Sequence, residues 1–180
     1  MKKTLIAVVS TVLICCCVFG GTLAWLTAKS ATVTNTFTFG DIKITLAETT
    51  GDEYKVIPGA SIDKDPTVTV KADSEACWLF VKITESQPDA VTNDVFSYTL
   101  DGWTEVTTGS GVYYREVGKT NADTPFAVFK DNKVTIGSAL TQADITAMNT
   151  TNPTIVITAY AVQKEAATTA TAAWDIAKAL

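Results

Sequence analysis

The chain has 180 residues, 47% of them hydrophobic, with 14 Lys and Arg against 19 Asp and Glu for a formal net charge of −5. That balance argues against a nucleic-acid binder, which needs a positive surface, and supplies no basic patch for anionic lipid. The sequence contains no histidine. This removes Ser-His-Asp and Cys-His catalysis, a His-Glu-x-x-His zinc site and histidine acid–base work at neutral pH.

Lys2-Lys3, an apolar run over residues 5–19 and the joint Gly20-Gly21-Thr22-Leu23-Ala24 follow one another in that order. A short basic region, an apolar core and a small residue at the cut are the layout of a secretory signal peptide. Thr22-Leu23-Ala24 fits a small-x-small cleavage site. The expected signal is therefore a helix within residues 1–24, cut between Ala24 and Trp25, with residues 25–180 working outside the cytoplasm as one domain. Such a chain meets the membrane only through its uncleaved signal. A cut after Ala28 is the second choice. A retained anchor over residues 5–26 is the competing reading. It is marginal, because spanning needs about 20 apolar residues and the run stops at Phe19. Lipid attachment fits worse, since none of Ile14, Cys15 and Cys16, which precede Cys15, Cys16 and Cys17, is small. Three of the four cysteines leave with the signal. Cys77 alone cannot form an intramolecular disulfide, so the domain must be held by its core.

Past the signal the chain reads as β almost throughout. Residues 32–39 alternate Thr with Val33, Asn35, Phe37 and Phe39, a period of two with one apolar face. Residues 41–48 repeat the pattern, with Ile42, Ile44 and Leu46 on one side and Lys43 and Thr45 on the other. Pro58-Gly59 signals a turn. Residues 67–71 point Val68 and Val70 inward. Residues 77–84 begin apolar on both faces, Trp78 and Phe80 against Cys77, Leu79 and Val81, which predicts a central strand. Shorter strands are expected over residues 95–100, 103–106, 112–117, 126–129 and 133–136, and a long last strand over 154–164. Thr141-Gln142-Ala143-Asp144 has the spacing of a capping box and opens a short helix to about Met148. Residues 166–180 place Ala170, Ala173, Trp174, Ala177 and Leu180 on one stripe of a second, C-terminal helix. Many short strands without alternating long helices predict an all-β fold, a jelly-roll-like antiparallel sandwich with short helices.

The chemical inventory is thin. Cys77 without a histidine partner reads as a small apolar core residue. Asp63 and Asp65, near Asp73 and Glu75, are the weak candidates for a metal; their spacing matches no EF-hand loop, and a solvated acidic loop is the plainer reading. No cofactor is expected. The Asn149-Thr150-Thr151 sequon has little weight alone. Tyr113, Tyr114 and Trp103 suggest a sugar-binding platform, against which stands ordinary cross-strand packing.

Residues 20–27, Gly-Gly-Thr-Leu-Ala-Trp-Leu-Thr, precede Thr34-Asn35-x-Phe37-x-x-Gly40-x-Ile42-x-Ile44-x-Leu46-x-Glu48. This start resembles the TasA/camelysin family, and looser likeness continues through Pro58-Gly59, Lys64-Asp65-Pro66, Gly111-Val112-Tyr113-Tyr114 and Ala159-Tyr160-Ala161-Val162-Gln163 to Trp174. The resemblance implies an exported Gram-positive protein whose signal is removed by a signal peptidase of the SipW type. It implies two different functions. TasA-like members are jelly-roll subunits that polymerise into biofilm fibres; camelysin-like members are surface metalloproteases. A third class is a monomeric surface binding module. Without histidine, a metal site would be carboxylate plus one Cys, which suits hard cations better than zinc, so the structural class is favoured. In that class residues 25–39 are expected to act as a donated strand. Val33, Phe37 and Phe39 would fill pockets of the next subunit and so propagate a head-to-tail homopolymer.

Overall fold

The computed structural model describes residues 41–51 and 54–179. The expected signal helix, the cleavage pair Ala24 and Trp25, and the strand carrying Val33, Phe37 and Phe39 lie outside the described residues.

The described chain forms three antiparallel sheets and two short helices. The strands are β1 (Ile44–Ala47), β2 (Ser61–Asp63), β3 (Thr67–Val70), β4 (Cys77–Ser86), β5 (Phe96–Ser97), β6 (Thr104–Glu105), β7 (Val112–Val117), β8 (Thr124–Ala127), β9 (Lys133–Ile136) and β10 (Thr154–Gln163). The sheet orders are β1-β3-β8, β10-β4-β7-β6 and β2-β9-β5.

β4 is the central strand that its two apolar faces predict. It pairs with β10 from Gln163 opposite Cys77 to Thr154 opposite Ser86, and with β7 on its other edge. Successive side chains leave opposite faces of a strand, so β4 serves two cores. Cys77, Leu79 and Val81 join Val68, Val70, Val128, Phe129 and Val134 in the larger one. Trp78 and Phe80 face the other way, onto Val112, Val162, Ala173 and Ala177. Leu79 and Phe80 are both fully buried, each worth about 1.5–3 kcal/mol by transfer from water.

The helices form where local chemistry starts them. In α1 (Gln142–Met148) the Thr141 hydroxyl accepts from the Asp144 N–H while the Asp144 carboxylate accepts from the Thr141 N–H at 2.8 Å, the reciprocal box read from the sequence. The helix packs Met148 against Val91, Val95 and Ile136 of the third sheet. The C-terminal helix α2 (Ala170–Ala177) is shorter than the predicted stretch. Ahead of it Ala167 is buried, and its carbonyl accepts the Trp78 indole N–H at 3.0 Å; the helix begins only after Thr169 caps the Ala172 N–H. Its small face of Ala173 and Ala177 lies on the sheet, and Trp174 supplies the bulk, 5.5 Å from Phe80 and 5.2 Å from Tyr160 between ring centroids.

Other expectations change too, and the strands expected over 41–48 and 103–106 contract to Ile44–Ala47 and Thr104–Glu105. β2 was not predicted: Ile62 is its one apolar residue, too little for a period. The predicted strand over 95–100 contracts to Phe96–Ser97 because the chain changes partners there. Phe96 pairs with Ile136 of the third sheet, whereas Leu100 bridges Phe129 and the Asp101 N–H reaches the Val128 carbonyl. The strand expected over 126–129 sits earlier, at Thr124–Ala127, because Pro66, opposite Val128 in the same register, accepts the Val128 N–H but has no N–H to return, and Phe129 then bridges Leu100 instead. Pro58-Gly59 forms the expected turn, with Gly59 at φ +78 and the Ala60 N–H on the Ile57 carbonyl.

Candidate functional site

The sheets β1-β3-β8 and β10-β4-β7-β6 contribute to one core, and their two flanks differ. One flank is sealed. Arg115, the single arginine of the sequence, lies on β7 with its guanidinium carbon 4.7 Å from the Trp103 ring centroid and 4.6 Å from that of Phe126. Its Nη2 donates to the carbonyls of Asp101 at 2.7 Å and Gly102 at 2.8 Å. Gly102 has φ +70, and a Cβ there would stand 2.5 Å from Arg115 Nη2. The Trp103 indole N–H donates to the Ala127 carbonyl at 2.8 Å, tying the β6 flank of one sheet to β8 of the other. A planar cation between two rings, forked onto two carbonyls, is a use of arginine that lysine cannot match.

The opposite flank is formed by β1 and β10. Among the described residues β10 pairs with β4 alone and β1 with β3 alone, although β1 and β10 lie beside one another. The inward residues of this flank, Ile42 and Ile44 with Ile155, Ile157, Ala159 and Ala161, pack against the core but stay half-buried, whereas Val68, Leu79 and Val81 within the same core are fully buried. Val156 on β10 is 53% exposed. A ten-residue strand whose second edge has no strand partner among the described residues is a template for another extended segment. The described chain enters this flank at Asp41, two residues after Phe39.

The weak metal candidates have other partners. Asp63 forms an ion pair with Lys133, its cross-strand neighbour in β9. Asp65 accepts from the N–H groups of Thr49 at 2.8 Å and Thr50 at 3.0 Å and from both hydroxyls, at 2.5 and 3.0 Å. These donors, the Thr49 hydroxyl first, hold its carboxyl far below the usual range. Beside it Lys64 donates to both carboxylate oxygens of Glu48, at 2.8 and 2.9 Å. Among the described residues no group of three Cys, Asp or Glu side chains is gathered as a metal set.

Tyr113 and Tyr114 do not make one platform with Trp103. As neighbours on β7 they face opposite ways, Tyr113 toward the larger core and Tyr114 onto Trp78 and Phe80, and Trp103 is buried under Arg115. Cys77 is fully buried, and burial pushes its thiol up to about 11, the opposite of a reactive thiolate. A surface cleft of about 530 Å³ beside Gly59 and Gly137 has Asp94 as its one ionisable lining residue. No helix among the described residues is long and apolar enough to cross a membrane.

The sequence reading missed the Trp103–Arg115–Phe126 stack; its one signal was the solitary arginine. No family model, curated protein or solved structure matches the chain.

Proposed function

We propose that this chain is an exported structural subunit of the cell surface or biofilm matrix, a jelly-roll-like sandwich that polymerises into fibres by head-to-tail strand donation. The observation that carries the reading is the β1–β10 flank, where a long strand has one hydrogen-bonded neighbour among the described residues and small residues, Ala159 and Ala161, line the half-buried core margin. The sequence supplies a matching donor. Residues 32–39 have good β-propensity, one apolar face of Val33, Phe37 and Phe39, and a direct covalent path into β1. Cleavage between Ala24 and Trp25 by a signal peptidase of the SipW type frees that segment from the membrane. Main-chain hydrogen bonds then provide the pairing and the three apolar side chains set its register. A contact from the front of one copy to the flank of the next does not close on itself, so it grows as a filament. The partner is a second copy of the same chain. A proteolytic role would have to do without the histidine of the serine, cysteine and zinc sites, which the sequence lacks, and no cofactor enters this reading.

The test has two arms. N-terminal sequencing of the exported protein is expected to read Trp25-Leu26-Thr27, and an intact Met1 on a membrane-bound form would count against processing. Negative-stain imaging of the processed protein is expected to show filaments. Removing residues 25–35, or combining Phe37→Asp with Phe39→Asp, is expected to leave a folded monomer. If either variant is folded and still forms filaments at the wild-type rate, strand donation is wrong.

A further inference from the structure

A fibre joined by residues 25–39 passes its tension into the chain just ahead of β1. That strand is four residues long, sits at a sheet edge and pairs with β3 alone among the described residues, from Ile44 opposite Val70 to Ala47 opposite Thr67. Unsupported, it is the weakest part of the load path. Ties flank it on both sides. Ahead of it the Lys43 carbonyl accepts from the Lys71 N–H at 2.8 Å, the Asp41 carbonyl from the Glu75 N–H at 3.1 Å, and the Lys43 N–H donates to the Ser74 hydroxyl at 3.2 Å. Behind it comes the stronger set. The Lys64 side chain is 8% exposed and grips both oxygens of Glu48, with the Tyr54 ring centroid 5.5 Å from its Nζ. Asp65 holds two N–H groups and two hydroxyls of Thr49 and Thr50.

We propose that Glu48, Thr49, Thr50, Lys64 and Asp65 form a clasp that anchors β1 against tension along the chain. The proposal rests on the fibre reading above for the source of that tension. A surface ion pair resists little, but here the Lys64 side chain is nearly buried while that of Glu48 is partly exposed, so drawing Glu48 away strands the Lys64 ammonium without its partner. A pull on the Asp41 end along the strand must drag Glu48 off Lys64, and Thr49 and Thr50 off Asp65, before β1 slides past β3. The clasp therefore acts on one direction of load, beyond any general contribution to stability.

The experiment is constant-force optical tweezers on single full-length chains of wild type, Glu48→Gln and Asp65→Asn. One handle pair runs from the N-terminus to an azide-bearing residue in place of the exposed Lys130, loading β1; the other runs from position 130 to the C-terminus, bypassing it. In the first geometry each variant is expected to shorten the folded lifetime at least about tenfold, equivalent to about 1.4 kcal/mol. In the second the lifetime stays at the wild-type value. Unchanged lifetimes in the first geometry, or equal shortening in both, overturn the proposal. Either variant alone decides it should the other not fold. Because monomers are pulled, a wild type that forms no filaments defeats the fibre reading without altering the force result.

Discussion

The β6–β8 flank and the β1–β10 flank border the same core with opposite chemistry. At the first, a tryptophan, an arginine and a phenylalanine stack, and four polar groups find partners: the indole N–H, its carbonyl, and the two carbonyls under the guanidinium. At the second, alanines and isoleucines are left half-buried and a long strand edge has no strand partner among the described residues. One core can close on one side by large side chains and on the other by added main chain. Sealing with side chains is complete within one copy. Sealing with main chain leaves the choice of whose chain supplies the strand.

The largest effect is expected at the sealed flank. Trp103→Ala removes a buried aromatic and leaves the Ala127 carbonyl without its donor; truncations of this kind cost about 3–5 kcal/mol. Urea denaturation is expected to show that loss with an unchanged slope, and a loss under about 1 kcal/mol would mean the flank is not held by this stack. Arg115→Lys comes next. It keeps the charge but loses the fork onto Asp101 and Gly102 and the planar fit between the rings, a cost of about 1.5–3 kcal/mol if hydrogen bonds from a charged donor set the scale. A stability equal to wild type would show that charge alone serves.

Much of this architecture was legible because it is local. β4 announced its central place through two apolar faces, and α1 through residues Thr141 and Asp144 three apart. β9 falls on its predicted bounds because it is a short, clean alternation, and β7 because Gly111 and Gly118 bracket a run rich in Val and Tyr. What escaped was assembled from distant pieces. Arg115 on β7 meets Phe126 on β8 and Trp103 just ahead of β6, and no spacing in the sequence records that meeting. Asp65 looked like a ligand candidate because its partners, the backbone and hydroxyls of Thr49 and Thr50, are fifteen residues or more away. Tyr113 and Tyr114 looked like a pair, yet adjacent strand residues face apart.

Two enlargements compare the open margin with the core interior. Val128 is fully buried in the shared core, and Val128→Leu is expected to cost about 1–3 kcal/mol by overpacking. Ala159 lies at the half-buried margin, so Ala159→Leu adds more volume yet is expected to cost under about 1 kcal/mol, because the overpacking penalty applies to a well-packed core and the margin is open on one side. Under the proposed strand donation the same variant would fill space that a donated side chain needs, so filament growth is expected to slow while the monomer stays folded. Equal destabilisation at both sites would mean the margin is as tightly packed as the interior.

The smallest effects come from acid, and they order the flanks by charge. Asp123, just ahead of β8, sits below the ordinary carboxyl value of 3.8 because Lys71 and then the Ala72 N–H bind it. Asp65, at the clasp behind β1, is held far lower by Thr49 and Thr50. A carboxyl depressed in the folded state contributes stability that is fully present above its unfolded value and disappears as pH falls through its folded value. Asp123→Asn is therefore expected to lower the thermal midpoint at neutral pH and to converge with wild type once pH drops below 3.8 and Asp123 takes up its proton. The deficit of Asp65→Asn is expected to persist to lower pH, because that carboxylate is the last of the two to be neutralised. Thermal scans of wild type and both variants across an acid series measure the order. If the Asp65→Asn deficit vanishes first, the four donors at that carboxylate do not govern its ionisation, and the β1 flank is no better held against acid than the β8 flank.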